Sequence, residues 1–516
     1  MNFLRRKFIT VLFWALCSAI TSISYANTHQ EYAKSQLKAL HEVINDTHPG
    51  VIGDDDENFQ QWHQQGYKQT LSMLPLVKNA QDEMALINFY ITGYKDAHMS
   101  VRAANYHKVD NIYRPQWAGW NIEIRQGEYY VSYSQGDKNS PKINEKLVSC
   151  NGISIDNLLK QHYAPYIDAR WHLPIAKSRT SNAFTITHPQ RPILSRPEVK
   201  YCMFENSQNQ PYQVTVLWTE LTKEQEKAMS KAWQLKRKAY GKRTQYNSLM
   251  KITDNSYWIF AKDFKLRTKK LLQHHQTLLK QLAALKEVEL LVFDLRANTG
   301  GSSSHGFNLL KAVDPDDYSY LRKKLNQKLD NPDASYRISG TYLKFLKGEI
   351  QKQGQLLPAN SSRLKSFKRF LNNYQQALND GEETAWQSEL FGSQKNTSSA
   401  NQLNEKYVLN FTGKIIVVTD SSCVSACLDF IDLFKQHPNG KHLGITTNAD
   451  TAYIENVTIT WDKSEFNPIR YSGPVKKWNR RARTDNQPYI PDIRFTGDIR
   501  HTEKLQKWVL EQARSF

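Results

Sequence analysis

Cysteine is scarce in this sequence, and the short motifs that bind metal ions are absent. Five cysteines occur in 516 residues without a CxxC pair, and no HExxH pattern is found. Structural and catalytic zinc sites are commonly built from such closely spaced Cys and His ligands. The sequence therefore gives no support for a metal site.

Long hydrophobic runs are scarce as well. One run, from Phe8 to Ile23, follows basic residues 5–7 and ends at a small-x-small sequence at positions 24–26. Such a run is too short and too early for a firm membrane span, and it is typical of a signal peptide. We therefore predict cleavage near Ala26 and an exported protein, periplasmic or secreted. The paired arginines leave the route open between general and twin-arginine secretion.

Acidic residues are fewer than basic ones, 50 against 69, which gives a formal charge of +19. Without the signal peptide the charge is +16, because that segment has three basic residues and no acidic one. This balance suits a peripheral contact with an anionic envelope surface, and a solvated exterior explains it equally well. No arginine–aromatic motif stands out, so no nucleic-acid partner is expected. The basic run Lys231–Arg243 is predicted to form an exposed helix and loop.

Four cysteines remain after the signal peptide: Cys150, Cys202, Cys423 and Cys427. An even number in an exported protein permits disulfides, and four cysteines allow three connectivities. Cys423 and Cys427 are four residues apart, so they could be bridged or could remain two small buried thiols. The residues leave both alternatives open.

The stretch 413–450 has the order strand, polar turn, helix, glycine turn and strand. Lys414–Thr419 is a β-branched run typical of a buried parallel strand, and helical apolar spacing begins at Ser425 and stops at Asn439–Gly440. Ser425 thus lies where a strand leads into a helix N-terminus. A serine there commonly caps the helix, but the free N–H groups of the helix end can also stabilise an oxyanion.

A second stretch, Glu289–Gly301, is a buried strand that ends in Asp294, Arg296 and Asn298, followed by a pair of glycines. Glycine lets the backbone approach a ligand closely. Together the two stretches, DLRxNxGG and VxxDxxxxSA, resemble the C-terminal-processing (tail-specific) serine peptidase family, which includes tricorn-like peptidases.

The resemblance implies an α/β fold with a ClpP/crotonase-like catalytic core of strands and crossover helices. It assigns Ser425 as the nucleophile, and it assigns the oxyanion hole to the N–H of Ala426 with Gly300 or Gly301. It implies no cofactor, because acyl transfer by a serine peptidase needs none.

Residues 27–110 are predicted to form an N-terminal helical cap, because their apolar residues have helical spacing. The family resemblance adds a His48-Pro49 pair and a closing D-x-H element, Asp96–His98. A serine hydroxyl needs a base with a pKa near neutral within hydrogen-bond reach, so His98 is the candidate general base.

Residues 111–220 are predicted to be a β-rich module with a strand–turn–strand at Asn151-Gly152. This pattern resembles the PDZ-like module of the same peptidases, which would bind an extended chain or a free C-terminus by strand addition. The segment Tyr163–Pro197 is expected to be rich in loops. Residues 221–516 form the predicted catalytic core, which a helical insertion at about 312–405 interrupts.

The sequence departs from the best-known branch of the family at the base. That branch has a lysine on the strand after the nucleophile helix, and the matching stretch here, Gly444–Asp450, ends in an aspartate. With an unperturbed pKa of about 3.9, an aspartate is a poor direct base, but it can orient and stabilise an imidazolium. As in tricorn-like members, we predict a Ser425, His98 and Asp450 constellation, with Asp485 as a second candidate for the acid.

Two functions follow from these residues. The first is an exported serine peptidase that cleaves polypeptide substrates through an acyl-enzyme on Ser425. The alternative is a peptide-binding envelope protein that keeps the fold but is catalytically weak or inactive, and the missing lysine favours it. Either would have polypeptides or their C-termini as partners; the oligomeric state stays open.

Overall fold

The computed structural model describes residues 28–53, 56–103, 115–137, 140–187, 193–239, 246–327, 333–356, 360–392, 407–461, 469–478 and 486–516. The predicted signal peptide and Asp485 lie outside these residues. Within these ranges, none of the helices combines the length and apolar character that crossing a bilayer requires.

The strands are, in chain order, β1 Ser100–Ala103, β2 Gln116–Trp117, β3 Trp120–Arg125, β4 Glu128–Ser134, β5 Lys146–Cys150, β6 Ile153–Ser154, β7 Tyr201–Glu205, β8 Pro211–Thr215, β9 Thr219–Glu220, β10 Ser248–Thr253, β11 Ser256–Phe260, β12 Leu290–Asp294, β13 Ala334–Arg337, β14 Thr384–Trp386, β15 Lys414–Thr419, β16 Gly440–Gly444, β17 Tyr453–Trp461, β18 Ile469–Trp478 and β19 Ile493–Arg494.

The α-helices are α1 28–47, α2 Glu57–Gln61, α3 Tyr67–Ser72, α4 Ala80–Gly93, α5 Ile155–His162, α6 Ala164–Ile167, α7 Pro174–Thr185, α8 Lys223–Ala239, α9 Lys269–Ala283, α10 Ser303–Val313, α11 Pro315–Gln327, α12 Gly340–Leu356, α13 Ser362–Asn379, α14 Gln387–Phe391, α15 Ala426–Phe434 and α16 Thr502–Arg514. A π-helical segment, Trp62–Gly66, joins α2 to α3, and two short 3-10 turns lie at Pro49–Val51 and Leu74–Leu76.

The central sheet has six strands in the order β10-β11-β12-β15-β16-β19. β10 is antiparallel to β11, and the remaining neighbours are parallel. Alternate side chains of β12 and β15 point to opposite faces, where they pack against α9, α10 and α15 on one side and α16 on the other. Strands buried on both faces explain the continuous apolar runs of the sequence, and they confirm the predicted α/β fold.

A second sheet joins distant parts of the chain around β18. β17 pairs with β18 along one edge, whereas β1 pairs with residues 469–472 and β13 with residues 476–478 of the same strand. The apolar side chains of α1 and α4 pack on β17 and β18. The end of the predicted cap and part of the predicted insertion therefore share one sheet with the C-terminal region.

A third, antiparallel sheet has the order β3-β4-β5-β7-β8, and β6 pairs with β5. It encloses its own core with α5 and α7. The expectation of a loop-rich segment at Tyr163–Pro197 is wrong for its middle, because residues 174–185 form α7. Pro174 is the first helical residue, where the fixed φ of proline favours a helix start and its missing N–H costs nothing.

The four cysteines of the described residues form two disulfide bonds: Cys150 to Cys202, and Cys423 to Cys427. The first bridge joins directly paired residues of β5 and β7. The second closes the turn between β15 and α15, on either side of Ser425. The structure thus selects one of the three connectivities.

The two disulfides should contribute differently to stability, since cross-linking removes more entropy from the unfolded chain when the closed loop is longer. Sequence separations of 52 and 4 residues correspond to about 4 and about 2 kcal/mol in the free energy of unfolding. We expect Cys150→Ala/Cys202→Ala to lose more stability than Cys423→Ala/Cys427→Ala in urea denaturation. The reverse order would contradict this loop-entropy account.

Candidate active site

Ser425 occupies a strained turn between β15 and α15. Its backbone has φ 60° and ψ −130°, a region that residues with a side chain rarely adopt and that costs about 1–3 kcal/mol. Ser425 is the N-cap residue of α15, yet its side chain makes no capping hydrogen bond. Helix capping therefore does not account for this serine.

Three links hold the serine turn in this conformation. The Cys423–Cys427 disulfide bridges it, and both cysteines are fully buried. The Cys427 N–H donates to the Val424 carbonyl over 3.2 Å, and the Asn448 N–H donates to the Cys423 carbonyl over 3.1 Å. The second bond attaches the segment that precedes β17, which carries Asp450, to the serine turn.

The DLRANTGG segment forms the neighbouring turn. Asp294 is in register with Val418 at the carboxyl ends of β12 and β15, so the two turns meet at one edge of the sheet. The Ala297 N–H donates to Asp420 Oδ2 over 2.9 Å, and the Ser422 N–H donates to Asp420 Oδ1 over 2.9 Å. Asp420 therefore joins the two turns.

The polar side chains of this motif hold the turn from within. Arg296 Nε and Nη2 donate to the two carboxylate oxygens of Asp294 over 2.9 and 2.6 Å. Both residues are buried, and such a bidentate ion pair is well suited to a buried site. Asn298 Nδ2 donates to the Ala261 carbonyl, and Asn298 Oδ1 accepts the Gly300 N–H.

Gly300 is in contact with the serine turn. Its φ is +79°, and a Cβ at this position would lie 2.7 Å from Ser425 Cβ and 3.0 Å from the Ala426 nitrogen. Ala426 begins α15, so its N–H has no acceptor within the helix. Gly301 differs, because a Cβ there would meet the backbone of Phe264 at 2.2 Å. Of the two predicted glycines, Gly300 forms the surface against Ser425.

His98 and Asp450 lie together, as the sequence predicts for a base and its acid. His98 Nδ1 is 3.0 Å from Asp450 Oδ1, within ion-pair distance. The His98 side chain is 18% exposed and that of Asp450 only 2%. The His98 carbonyl accepts from Asn456 Nδ2 on β17 over 2.6 Å. Asp485, the second candidate, lies outside the described residues.

Two further charged residues, Asp96 and Arg170, belong to this cluster. Asp96 Oδ1 lies 3.7 Å from His98 Nδ1. The buried Arg170 donates to the Ala449 carbonyl over 3.0 Å and forms a bidentate pair with Asp168. Burial alone would lower the pKa of Arg170, but its bonds to Asp168 and the charges of Asp450 and Asp96 raise that pKa above its usual value. Spacing from His98 marks Asp96 in the sequence, whereas nothing there marks Arg170.

Among the described residues, Asp96, His98 and Asp450 form one group whose ligand atoms lie within 4.8 Å of one another, close enough to share a metal ion. The positive charge of Arg170 acts on both carboxylates. A like charge opposes the binding of a cation, so we assign no metal to this group. The arrangement suits an imidazolium stabilised by carboxylates.

Comparisons with known proteins identify a matching family and similar folds. The model of peptidase family S41 matches residues 258–467. Mature CPAF complexed with lactacystin is similar, with a TM-score of 0.59 and 13% identity over 95% of this chain and 100% of that one. A second structure, of mature CPAF, has a TM-score of 0.57 and 12% identity over 95% and 98% of the two chains. At sequence identities this low, the similarity shows that the chains share a fold.

The alignment with the tricorn protease covers 95% of this chain and 37% of that one, at 11% identity and a TM-score of 0.35. This TM-score is too low to support the predicted closeness to tricorn-like members. No curated protein sequence matches the chain significantly. The family match spans β11, β12, the DLRANTGG turn, the serine turn and Asp450. The part of the chain from residue 258 to residue 467 therefore matches the C-terminal-processing serine peptidases of family S41.

Proposed function

We propose that this chain is an exported peptidase that hydrolyses peptide bonds through an acyl-enzyme on Ser425. The Ser425 hydroxyl attacks the carbonyl carbon, His98 takes its proton, and the same imidazolium then protonates the leaving amine. Water, activated by His98, releases the acyl group and restores the serine. Asp450 orients His98 and stabilises its protonated ring.

The contact between His98 Nδ1 and Asp450 Oδ1, at 3.0 Å, is the observation that carries this proposal. When the neutral ring carries its proton on Nδ1, the nitrogen beside Asp450, Nε2 is left as the acceptor for a serine proton. Ser425 supports the same assignment, because its hydroxyl does not cap α15 and its backbone has the strain found at nucleophile turns.

The oxyanion hole is assigned to the Ala426 N–H, at the positive end of α15. A tetrahedral intermediate carries its negative charge on one oxygen, and a backbone N–H aimed at that oxygen stabilises it. The Gly300 N–H already donates to Asn298 Oδ1 over 2.9 Å. We therefore assign the second oxyanion donor to the Gly301 N–H. Gly300, which has no side chain, is assigned the surface that leaves room for the oxyanion.

The finer domain assignments belong to the proposal as well. The antiparallel sheet of residues 120–215 serves as a PDZ-like module that takes the substrate chain, residues 27–110 form the cap, and the central sheet is the crotonase-like core. Export is supported by the two disulfides, since such bonds persist in oxidising compartments.

A fluorophosphonate probe tests the nucleophile directly, because it reacts only with an activated serine. We expect the mature protein to be labelled and Ser425→Ala to lose all labelling. Ser422→Ala, three residues earlier in the same turn, is the matched control and should be labelled like the wild type. A folded wild-type protein that stays unlabelled would instead favour the inactive peptide-binding alternative.

The base and its acid are tested by the rate of the same labelling. His98→Gln should lower the rate by about 10²–10⁴-fold, the usual contribution of a general base. Asp450→Asn should lower it by up to about 10⁴-fold, because the wrong tautomer of His98 is then favoured. His172→Gln removes an exposed histidine and serves as the control. A wild-type rate in His98→Gln would exclude it as the base.

Gly300→Ala should block the proposed oxyanion hole, since its Cβ would lie 2.7 Å from both Ser425 Cβ and the Val424 carbonyl oxygen. We expect a loss of labelling of at least about 10²-fold, as for removal of an oxyanion donor. Gly381→Ala is matched in backbone strain, with φ +74°, but a Cβ there meets nothing within 4 Å. Equal labelling of the two variants would contradict the assignment of Gly300.

A further inference from the structure

Asp96 joins three separate segments of the chain. Its side chain is almost fully buried, and Oδ1 accepts the backbone N–H of His98 over 2.7 Å and the Thr451 hydroxyl over 3.0 Å. Its other oxygen, Oδ2, lies 3.4 Å from Nε2 of the buried His48. One carboxylate therefore contacts the base, the residue after Asp450 and the turn that begins the Pro49–Val51 segment.

The tautomer of His48 follows from its two contacts. The Gly50 N–H donates to His48 Nδ1 over 3.0 Å, so Nδ1 carries no proton in this arrangement. Nε2 then carries the proton and donates it to Asp96. Burial lowers the pKa of His48, and the nearby Asp96 offsets this only in part. His48 is consequently neutral at neutral pH, stacked on Phe59 at 4.2 Å.

A neutral His48 fixes Asp96 without cancelling its charge. That charge lies 3.7 Å from His98 Nδ1, on the same ring nitrogen that Asp450 contacts at 3.0 Å. A carboxylate at this distance favours the imidazolium that forms when a serine proton is transferred. The bond from the His98 N–H to Asp96 also holds the backbone of the base.

We propose that Asp96, held by the buried His48, is a positioning residue for His98 that fixes its backbone and adds a second negative charge beside its ring. The inference rests on the proposed function, in which His98 is the base. The charged and titratable groups near His98 include Asp96, Asp450 and His48, together with Arg170, whose charge acts on both carboxylates.

The test is the pH profile of the rate of fluorophosphonate labelling in the full mature chain. Asp96→Asn keeps the oxygen that accepts from His98 and Thr451 but removes the charge. Loss of a carboxylate beside the ring lowers the pKa of His98, so the acid limb of the profile should move to lower pH by about one unit. The plateau rate should fall about tenfold or more, because a weaker base is a slower one.

Two further sets of variants separate charge from hydrogen bonding. Thr451→Val removes one donor to Asp96 and keeps its charge, so it should lower the rate without moving the acid limb. In Asp96→Asn, the amide NH2 also faces the N–H of His48, so two hydrogen-bond donors oppose each other. The double variant His48→Gln/Asp96→Asn relieves this conflict, because the glutamine amide can accept; its acid limb should nevertheless remain shifted.

His48 is tested by a conservative pair. His48→Gln retains a donor toward Asp96 and should label within about threefold of the wild type, whereas His48→Phe keeps a stacked ring without the donor and should be about tenfold slower. Equal rates for these two variants would overturn the role of His48. The denaturation midpoint of each variant is measured alongside to show that it is folded. If Asp96→Asn fails to fold, the rate and pH profile of Thr451→Val still test the role of Asp96.

An acid limb that stays in place in Asp96→Asn, or that moves equally in Thr451→Val, overturns the inference. That outcome differs from failure of the proposed function, in which Ser425→Ala or His98→Gln would label like the wild type. If those two variants lose labelling while the profile of Asp96→Asn is unchanged, His98 remains the base and Asp96 has only a structural role.

Discussion

The pairing of β18 with both β1 and β17 is the constraint on which the site depends. His98 comes shortly before β1, and Asp450 comes shortly before β17, and pairing of both strands with β18 brings the two residues to the same part of the sheet. The bond between Thr451 and Asp96 joins residues 355 positions apart. Contacts of such long range are costly in chain entropy, and the apolar packing of α1 and α4 on β17 and β18 offsets that cost.

The charges around His98 also form one unit. Two buried carboxylates beside a single imidazole would repel each other, and the positive charge of Arg170 acts on both. Its guanidinium is held by Asp168 and by the Ala449 carbonyl. The family lysine is missing from the strand after the nucleophile helix, yet a buried cation still lies near the site, supplied by another part of the chain. Its role is electrostatic, because an arginine stays protonated and cannot serve as a base.

Local sequence patterns were sufficient to predict those elements of the fold that depend on neighbouring residues in the chain. The strand Lys414–Thr419 lies where its β-branched run predicts it. The predicted serine turn and glycine pair also meet, because two parallel strands bring their carboxyl ends to the same edge. The closeness of His98 and Asp450 was predicted only through the family resemblance, since nothing local to either residue indicates it.

The remainder depended on contacts between distant residues. Disulfide connectivity stayed open because spacing alone cannot say which strands are neighbours, and β5 and β7 proved to be paired at Cys150 and Cys202. The loop expected at 163–197 is wrong for residues 174–185, which form a helix that begins at Pro174. Asp96 was read as part of a motif, and its three buried contacts became visible only when segments from both ends of the chain were brought together.

The position of β17 and β18 near the end of the chain has a consequence for the order of events during synthesis. Ser425 and His98 are both made before Asp450 and before β18, the strand that completes the sheet beside the base. A chain that ends before β18 therefore contains Ser425 but cannot bring β1 and β17, the strands next to His98 and Asp450, into one sheet. On the proposed mechanism, the site is therefore complete only after β18 has been synthesised and has paired with β1 and β17.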